Sequence, residues 1–509
     1  MTAILPRREL SGITPDGPEL LPLNAGEQYR FSFEMDSCIG CHSCEVACAE
    51  QNGNPVGVDW RKVGEVEGGN FPDTRRFSIS MACNHCLEPA CLQGCPTNAY
   101  EKLVNGVVEH HADDCIGCQY CIWNCPYDVP VFNATRQVVT KCDMCQPRLE
   151  VGKSPACVMA CPTEAIKVEK VDVAAWRAEH ATAEAPGLPP SSVTISTTRI
   201  VPPKNLPLPA VVGGQYKLVP EHPHLPLVAL TLLSQIAVGA VWATFILTCL
   251  AALFGGGVGV QPAFGRGALA ALLMGGAALG ASLLHLGRPA VAWKALRNLR
   301  TSWLSREVAL LGAFVGGAFV YAVIFLVDGP TFVAGAAAAI LGAAGVYASG
   351  RLYLIPARPM WNSPRTIVGF FATALVLGPL VTLLAVGAPD VPFAWSRALL
   401  AIAVAGGVLQ LAVWRRLERT ARSRGAREYH QSAQLLWGPF RQFRVARVAL
   451  GILGVLVLLV ALAARRDEIT VAVAVAVVCL LAGELVGRYL FYVSVVPMRG
   501  PGRFDGGRR

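Results

Sequence analysis

Residues 115–126 read CIGCQYCIWNCP, a C-x2-C-x2-C-x3-C run closed by Pro126. Working outward, residues 38–48 (CIGCHSCEVAC) repeat the spacing with Cys38, Cys41, Cys44 and Cys48. Residues 83–96 (CNHCLEPACLQGCP) place Cys83, Cys86, Cys91 and Cys95 ahead of Pro96, and Cys142, Cys145, Cys157 and Cys161 precede Pro162. Sixteen of the eighteen cysteines thus fall in four groups of four. Zinc sites usually come as two separated C-x2-C pairs, and disulfide frameworks suit small secreted domains. The triple C-x2-C-x2-C followed by x3-C-P is instead the bacterial ferredoxin run, whose fourth cysteine ligates the other cluster of a pair. The spacing predicts four [4Fe–4S] clusters, a wire for single electrons, with Cys at all sixteen positions and no [3Fe–4S] site. Gly40 and Gly117 leave room for the backbone to approach cluster sulfide. The fourth cysteine of a group is expected to begin a short helix, with the following proline in its first turn. The clusters act as the core of a small domain, so the apo form is not expected to fold stably.

Composition divides the chain. Hydrophobic residues make up 53% and charged residues 16% of 509, but the first 200 are polar enough to be soluble. Met1 to Gly26 is polar and Pro-rich, with no apolar segment of the secretory kind. From Leu225 onward eight apolar runs follow, roughly 225–254, 266–286, 305–327, 331–354, 366–387, 396–414, 447–464 and 469–496. Each is long enough to span a bilayer. The net charge of +9 concentrates in loops, which speaks for membrane loops and against a nucleic-acid partner. Arg288, Lys294, Arg297, Arg300 and Arg306, then Arg351, Arg358 and Arg365, nine arginines from Arg415 to Arg447, and four in the tail fall on one side; Arg266, Arg397, Arg465 and Arg466 fall on the other. That is 21 basic residues against 4, and the positive-inside rule puts the cysteine-rich domain at the cytoplasmic face of the inner membrane.

These readings predict an α+β ferredoxin-like four-cluster domain followed by an all-α eight-helix transmembrane domain. Residues 1–28 form a flexible lead, 29–170 the cluster domain, 171–224 a Pro-rich linker that hugs a surface or stays extended, 225–497 the membrane domain and 498–509 a basic tail. Strands are expected at Tyr29–Met35 and Phe77–Met81, a hairpin around Asn105-Gly106, a second hairpin from Val129–Phe132 to Gln137–Thr140, and a short helix at Val173–Glu179.

Ionisable groups within spans are functional candidates by default. His285 ends the second span and Glu307 opens the third, both on the cluster side. A quinol hydroxyl needs a partner that takes its proton, and His or a carboxylate suits that task. The plainer alternatives are an interfacial histidine bonded to a neighbouring helix and a carboxylate favoured at a helix N-terminus. Glu484 and Arg488 read best as a structural i,i+4 ion pair, Gln235 as an interhelical hydrogen bond, and Cys249 and Cys479 as packing residues. Only His285 lies at span depth, so paired haem ligands are not expected.

The four cysteine groups, with Trp60-Arg61-Lys62-Val63, Cys83-Asn84-His85-Cys86 and Lys141-Cys142-Asp143-Met144-Cys145, resemble the electron-transfer subunit of the DMSO reductase family. His285-Leu286-Gly287-Arg288-Pro289, Ser302-Trp303-Leu304-Ser305-Arg306-Glu307, Tyr353-Leu354-Ile355-Pro356 and Gly483-Glu484-Leu485-Val486-Gly487-Arg488 resemble the family's membrane anchor. Here the two are fused. The resemblance implies nested cluster pairing. One cube takes Cys38, Cys41, Cys44 and Cys161, and its partner Cys142, Cys145, Cys157 and Cys48. Another takes Cys83, Cys86, Cys91 and Cys125, and its partner Cys115, Cys118, Cys121 and Cys95. It also implies that His285 and Glu307 are quinol-linked, that menaquinol from the membrane pool is the donor, and that terminal catalysis belongs to a separate molybdopterin subunit.

The function expected is therefore menaquinol oxidation on the cytoplasmic side and delivery of electrons to a subunit that reduces DMSO or a similar S- or N-oxide. The same wire would serve a polysulfide, tetrathionate or nitrate reductase, or a formate-type dehydrogenase running the other way. A cluster-regulated transporter is the rival of another class. It would call for midplane charges, whereas the candidate polar residues are expected to gather on the cluster side.

Overall fold

The computed structural model describes residues 20, 22–180, 189–208, 210–212, 218–254, 257–422, 427–466 and 468–499. Most of the N-terminal lead and most of the basic tail lie outside the described residues.

Two three-stranded sheets frame the cysteine loops. Strand β1 (Glu27–Glu34) is buried along both faces and is central in its sheet. Strands β2 (Lys62–Asn70) and β3 (Asp73–Met81) form a long antiparallel pair in the insertion between the first two cysteine groups, and β2 is a strand that sequence reasoning left out. Two hairpins follow, β4 (Tyr100–Lys102) with β5 (Val108–His110), and β6 (Val131–Asn133) with β7 (Val138–Thr140). Strand β8 (Ile166–Asp172) pairs antiparallel with β1, and β9 (Arg199–Val201) pairs parallel with its other edge. Strand β10 (Ala210–Val212) adds to β2. Described parts of the Pro-rich stretch thus supply one strand to each of the two three-stranded sheets.

Short helices lie among the cysteines between the strands: α1 (Ser43–Asn52), α2 (Ala90–Gly94), α3 (Tyr120–Asn124), α4 (Gln146–Leu149) and α5 (Ala156–Met159), with α6 (Val173–Glu179) after β8. The fourth cysteines do not open helices as expected. Cys95 and Cys125 are the C-caps of α2 and α3, so Pro96 and Pro126 follow a helix end. Proline is at home there because it cannot continue the helix.

The membrane half comprises α7 (Leu225–Phe254), α8 (Gly257–Leu283), α9 (Trp303–Leu326), α10 (Thr331–Leu352), α11 (Pro364–Val386), α12 (Phe393–Arg422), α13 (Arg427–Trp437), α14 (Arg441–Ala463) and α15 (Ile469–Val493). Eight of these are long and apolar enough to cross a membrane. Helices α7 and α11 cross closely: a Cβ on Gly239 would collide with the Ala374 backbone, and one on Gly378 with Gly239. Small residues at such crossings let backbones approach where lipid offers no hydrophobic drive.

Three boundaries differ from expectation. The second span ends at Leu283, so His285 lies in the turn beyond it. The sixth and seventh helices extend into the basic loop, and between them lies α13, an amphipathic helix burying Leu435 and Leu436. Arg447, expected in that loop, is buried within α14. Long aliphatic stems let arginines join a helix whose apolar pattern has already ended.

Candidate functional site

All sixteen clustered cysteines carry free thiols, as do Cys249 and Cys479. The folding of the loops brings residues of different groups together. Cys161 lies within electrostatic range of Cys38. Cys48 is near Cys142, Cys145 and Cys157. Cys125 faces Cys83 and Cys86, with Cys91 in the same neighbourhood. Cys95 is near Cys115, Cys118 and Cys121. Among the described residues these side chains form no group tight enough for a single metal ion. Thiols brought together from different groups in this way fit iron–sulfur ligation, in which one group supplies a ligand to another's cluster.

The backbone of the four loops has a common conformation. The residue two after the first cysteine is left-handed in every group: Gly40, His85, Gly117 and Met144, with φ of 66°, 43°, 70° and 58°. This bend aims N–H groups at sulfur. His85, Gly117 and Met144 donate to the Sγ atoms of Cys83, Cys115 and Cys142 at 3.4–3.5 Å. Ala99 and Ala165 donate to Cys95 and Cys161 at 3.4 and 3.2 Å. Hydrogen bonds to ligand sulfur stabilise the more negative, reduced state and so tune potential.

Three buried polar side chains lie between the thiol sets, and sequence reasoning gave none of them a role. Tyr100, 6% exposed, lies near Cys121, Cys91 and Cys95. The Lys141 ammonium is held by the carbonyls of Val108 and Cys142. Burial works against its charge, but Cys83, Cys91 and Cys142 favour it and its pKa ends above the usual lysine value. Burial likewise opposes the Arg61 charge, and Cys157, Cys142, Cys44 and Cys48 outweigh it. Arg61 also donates to Ser80 and lies over Phe31. Their sequence signal was a Lys or Arg lodged in a cysteine-rich segment, since a fully buried cation needs anionic partners. Replacing Lys141 with Met is expected to lower the reduction potentials of the centres beside it. A unit charge ~6 Å away at an effective dielectric of ~20 is worth about 3 kcal/mol, on the order of 100 mV for one electron. A redox titration followed by EPR checks this, and unchanged potentials would refute the role.

The third cysteine group rests on the membrane half. Gly287 and Arg288 donate backbone N–H groups to the carbonyls of Gly117 and Ile116. A Cβ on Gly117 would press within 2.9 Å of the Gly287 Cα, so both glycines are needed for the loops to touch. Asn298 donates to the Cys95 carbonyl at 2.8 Å, and Ser302 to that of Gly94 at 2.7 Å. Lys294 and Arg297 clasp Asp114 and hold its carboxyl below the usual aspartate range.

Between this loop and the spans lies a cavity whose lining includes Cys118, Trp123, His285, Glu307, Leu311 and Tyr353. The structure therefore brings His285 and Glu307 to one pocket. The His285 ring is hydrogen-bonded to the Cys118 backbone, while its Nε2 is buried without a protein partner. Glu307 is 2% exposed, and its Oε1 also lacks a partner. Trp123 fills one wall, with ring centroids 5.1 Å from Trp361 and 6.1 Å from Tyr353. Two unpartnered polar atoms in an otherwise apolar pocket suit a largely apolar ligand with hydroxyl or carbonyl groups.

The expected ion pair between Glu484 and Arg488 is not formed. Glu484 instead pairs with Arg447 of α14 at 2.5 Å and accepts from Thr373 and Gln410, each at 2.9 Å. Arg488 turns the other way, donating to Gln235 at 2.5 Å and Thr373 at 3.0 Å, and lies over the Phe370 ring. Both charges are buried, so each takes the partners on the helix it faces rather than its neighbour along the helix. Gln235 makes the interhelical bond expected of it. This network spans five helices, with Gln235 about 15 Å from the cluster-side end of α7 at ~1.5 Å per residue.

Converging thiols above eight spans, with a polar-tipped cavity between, define an iron–sulfur electron-transfer domain joined in one chain to a multi-pass membrane anchor. The model of the DMSO reductase anchor subunit (DmsC) matches residues 220–493, and that of a 4Fe-4S dicluster domain matches residues 75–171. The protein is a member of the DMSO reductase family of electron-transfer and anchor subunits. Over 177 residues it is 37% identical to an anaerobic dimethyl sulfoxide reductase polypeptide of Haemophilus influenzae, covering 33% of this sequence and 86% of that protein. It is 36% identical over 160 residues to a sulfite dehydrogenase subunit of Allochromatium vinosum, covering 27% and 67% respectively. Protein NrfC of Escherichia coli is 39% identical over 150 residues, 29% of this sequence and 67% of that protein.

Proposed function

We propose that this chain oxidises menaquinol in the cavity holding His285 and Glu307 and serves a molybdopterin-containing catalytic subunit that reduces DMSO or a similar S- or N-oxide. The observation that carries the reading is that cavity, with two partnerless polar atoms against the loop of Cys118. With one ring nitrogen committed to the Cys118 backbone, neutral His285 offers the Nε2 lone pair to a quinol hydroxyl. Glu307 offers a carboxylate oxygen to the second hydroxyl. Trp123 and Tyr353 enclose the ring and keep out bulk water.

The neighbourhoods of the thiols support four [4Fe–4S] centres in nested sets: Cys115, Cys118, Cys121 and Cys95 beside the membrane; then Cys83, Cys86, Cys91 and Cys125; then Cys142, Cys145, Cys157 and Cys48; and last Cys38, Cys41, Cys44 and Cys161. When bound, such clusters supply one-electron carriers between a two-electron donor and a distant partner. Tyr100, Lys141 and Arg61 lie in turn between successive sets. The basic loops favour a cytoplasmic location for this domain.

The test is to measure menaquinol oxidation and the binding of a quinone-analogue inhibitor in membranes carrying His285→Ala or Glu307→Ala. The expected result is a loss of about 10²-fold or more in rate, typical of removing a positioned general base, with weakened inhibitor binding and intact cluster EPR signals. Wild-type oxidation and binding in both variants would refute the pocket assignment. A second reading, the same wire serving a different terminal enzyme, is favoured by the likeness to the sulfite dehydrogenase polypeptide. Co-purification of the catalytic partner followed by an activity screen separates the two.

A further inference from the structure

Quinol oxidation releases two electrons and two protons, and the protons must leave a pocket walled on the cluster side by Trp123 and the Cys118 loop. Two histidines just ahead of the first span provide a way out. The His224 ring centroid is 5.2 Å from that of His285 and 5.0 Å from that of His222, both edge-on. His224 is 7% exposed, whereas His222 is exposed. The three rings therefore step from cavity wall to surface at intervals that a ring rotation or one water can bridge.

The backbone holds the step in place. His224 has φ of 44°, a left-handed conformation costly for a residue with a side chain. Its carbonyl nevertheless accepts the N–H groups of Leu227 and Val228, which starts α7. Its own N–H donates to His222 Nδ1 at 3.2 Å, leaving Nε2 of His222 to exchange with water. Trp123 and Tyr492 pack on the His224 ring, at 5.1 and 6.1 Å between centroids. The charged groups nearby are Glu221 and Arg358, 3.6 Å apart and paired with each other.

Resting on the quinol reading above, we propose that His224 and His222 form the proton exit of this site. His224 receives a proton released in the pocket, and His222 passes it to water on the cluster-domain side. Each imidazole gains and loses one proton per transfer, and the electrons leave separately to the iron–sulfur centres.

The experiment uses the full chain in membranes with a menaquinol analogue and compares His222→Ala and His224→Phe with wild type. Expected are tenfold or greater slowing of oxidation, a larger solvent deuterium isotope effect and unchanged binding of a quinone-analogue inhibitor. Added imidazole should restore the rate of the surface variant His222→Ala but not of His224→Phe, whose cavity is filled. His222→Ala, being at the surface, keeps the test decisive should His224→Phe fold poorly. A wild-type rate and isotope effect in His222→Ala, or slowing that imidazole does not relieve, overturns the proposal. Failure of the quinol reading shows differently, as unaltered inhibitor binding in His285→Ala and Glu307→Ala.

Discussion

Changing Cys95 to serine is expected to stop menaquinol from reducing the chain, while dithionite still reduces the centres farther from the membrane. Cys95 belongs by sequence to the second group, yet its sulfur lies near Cys115, Cys118 and Cys121. Its carbonyl is bonded by Asn298 of the membrane half, which holds this thiol set at the interface. Loss of one ligand there should remove the centre nearest the His285 cavity and bring quinol-driven turnover to background. Iron analysis should show one cluster fewer, and EPR should keep the signals of the remaining centres. If the variant instead lost the centre of Cys83, Cys86 and Cys91, each group would hold its own cube and the nested assignment would be wrong.

A second large effect is expected at Arg447. Replacing it with Met leaves the Glu484 carboxylate buried with only Thr373 and Gln410 as donors. Breaking one partner of a buried pair typically costs about 3–5 kcal/mol. For a domain of this size that amounts to a fall of roughly 10 °C in the thermal midpoint measured in detergent. The double variant Arg447→Met with Glu484→Leu should recover much of the loss, because two apolar side chains need no desolvation. A single variant as stable as wild type would show that the pair carries no structural weight.

The cysteine spacing made the cluster loops and their class legible, because ligand spacing has few alternative readings. Span number was legible for a similar reason: about twenty apolar residues in succession have one economical solution in lipid. The ends of spans were less so. Arg441, Arg444 and Arg447 break the apolar pattern, yet α14 begins at Arg441 because packing against α15 and Glu484 rewards the extra turn. Of the cavity, His285 and Glu307 were legible as ionisable groups at span ends. Trp123 and Tyr353 were not legible as its walls, since nothing local distinguishes an aromatic that closes a pocket from one in a core. Left-handed bends were foreseeable at Gly40 and Gly117 but hidden at His85 and Met144, where the cysteine loop imposes a conformation the residue does not favour.

The strands lent by the Pro-rich stretch have a consequence for assembly. With β9 laid against β1 and β10 against β2, the chain is fastened to both sheets before it reaches α7 at Leu225. The two halves meet as a unimolecular event, at an effective concentration in the millimolar range or above. The glycine-lined contact between Gly117 and Gly287 can therefore be small and still stay closed under dilution that would separate two independent subunits.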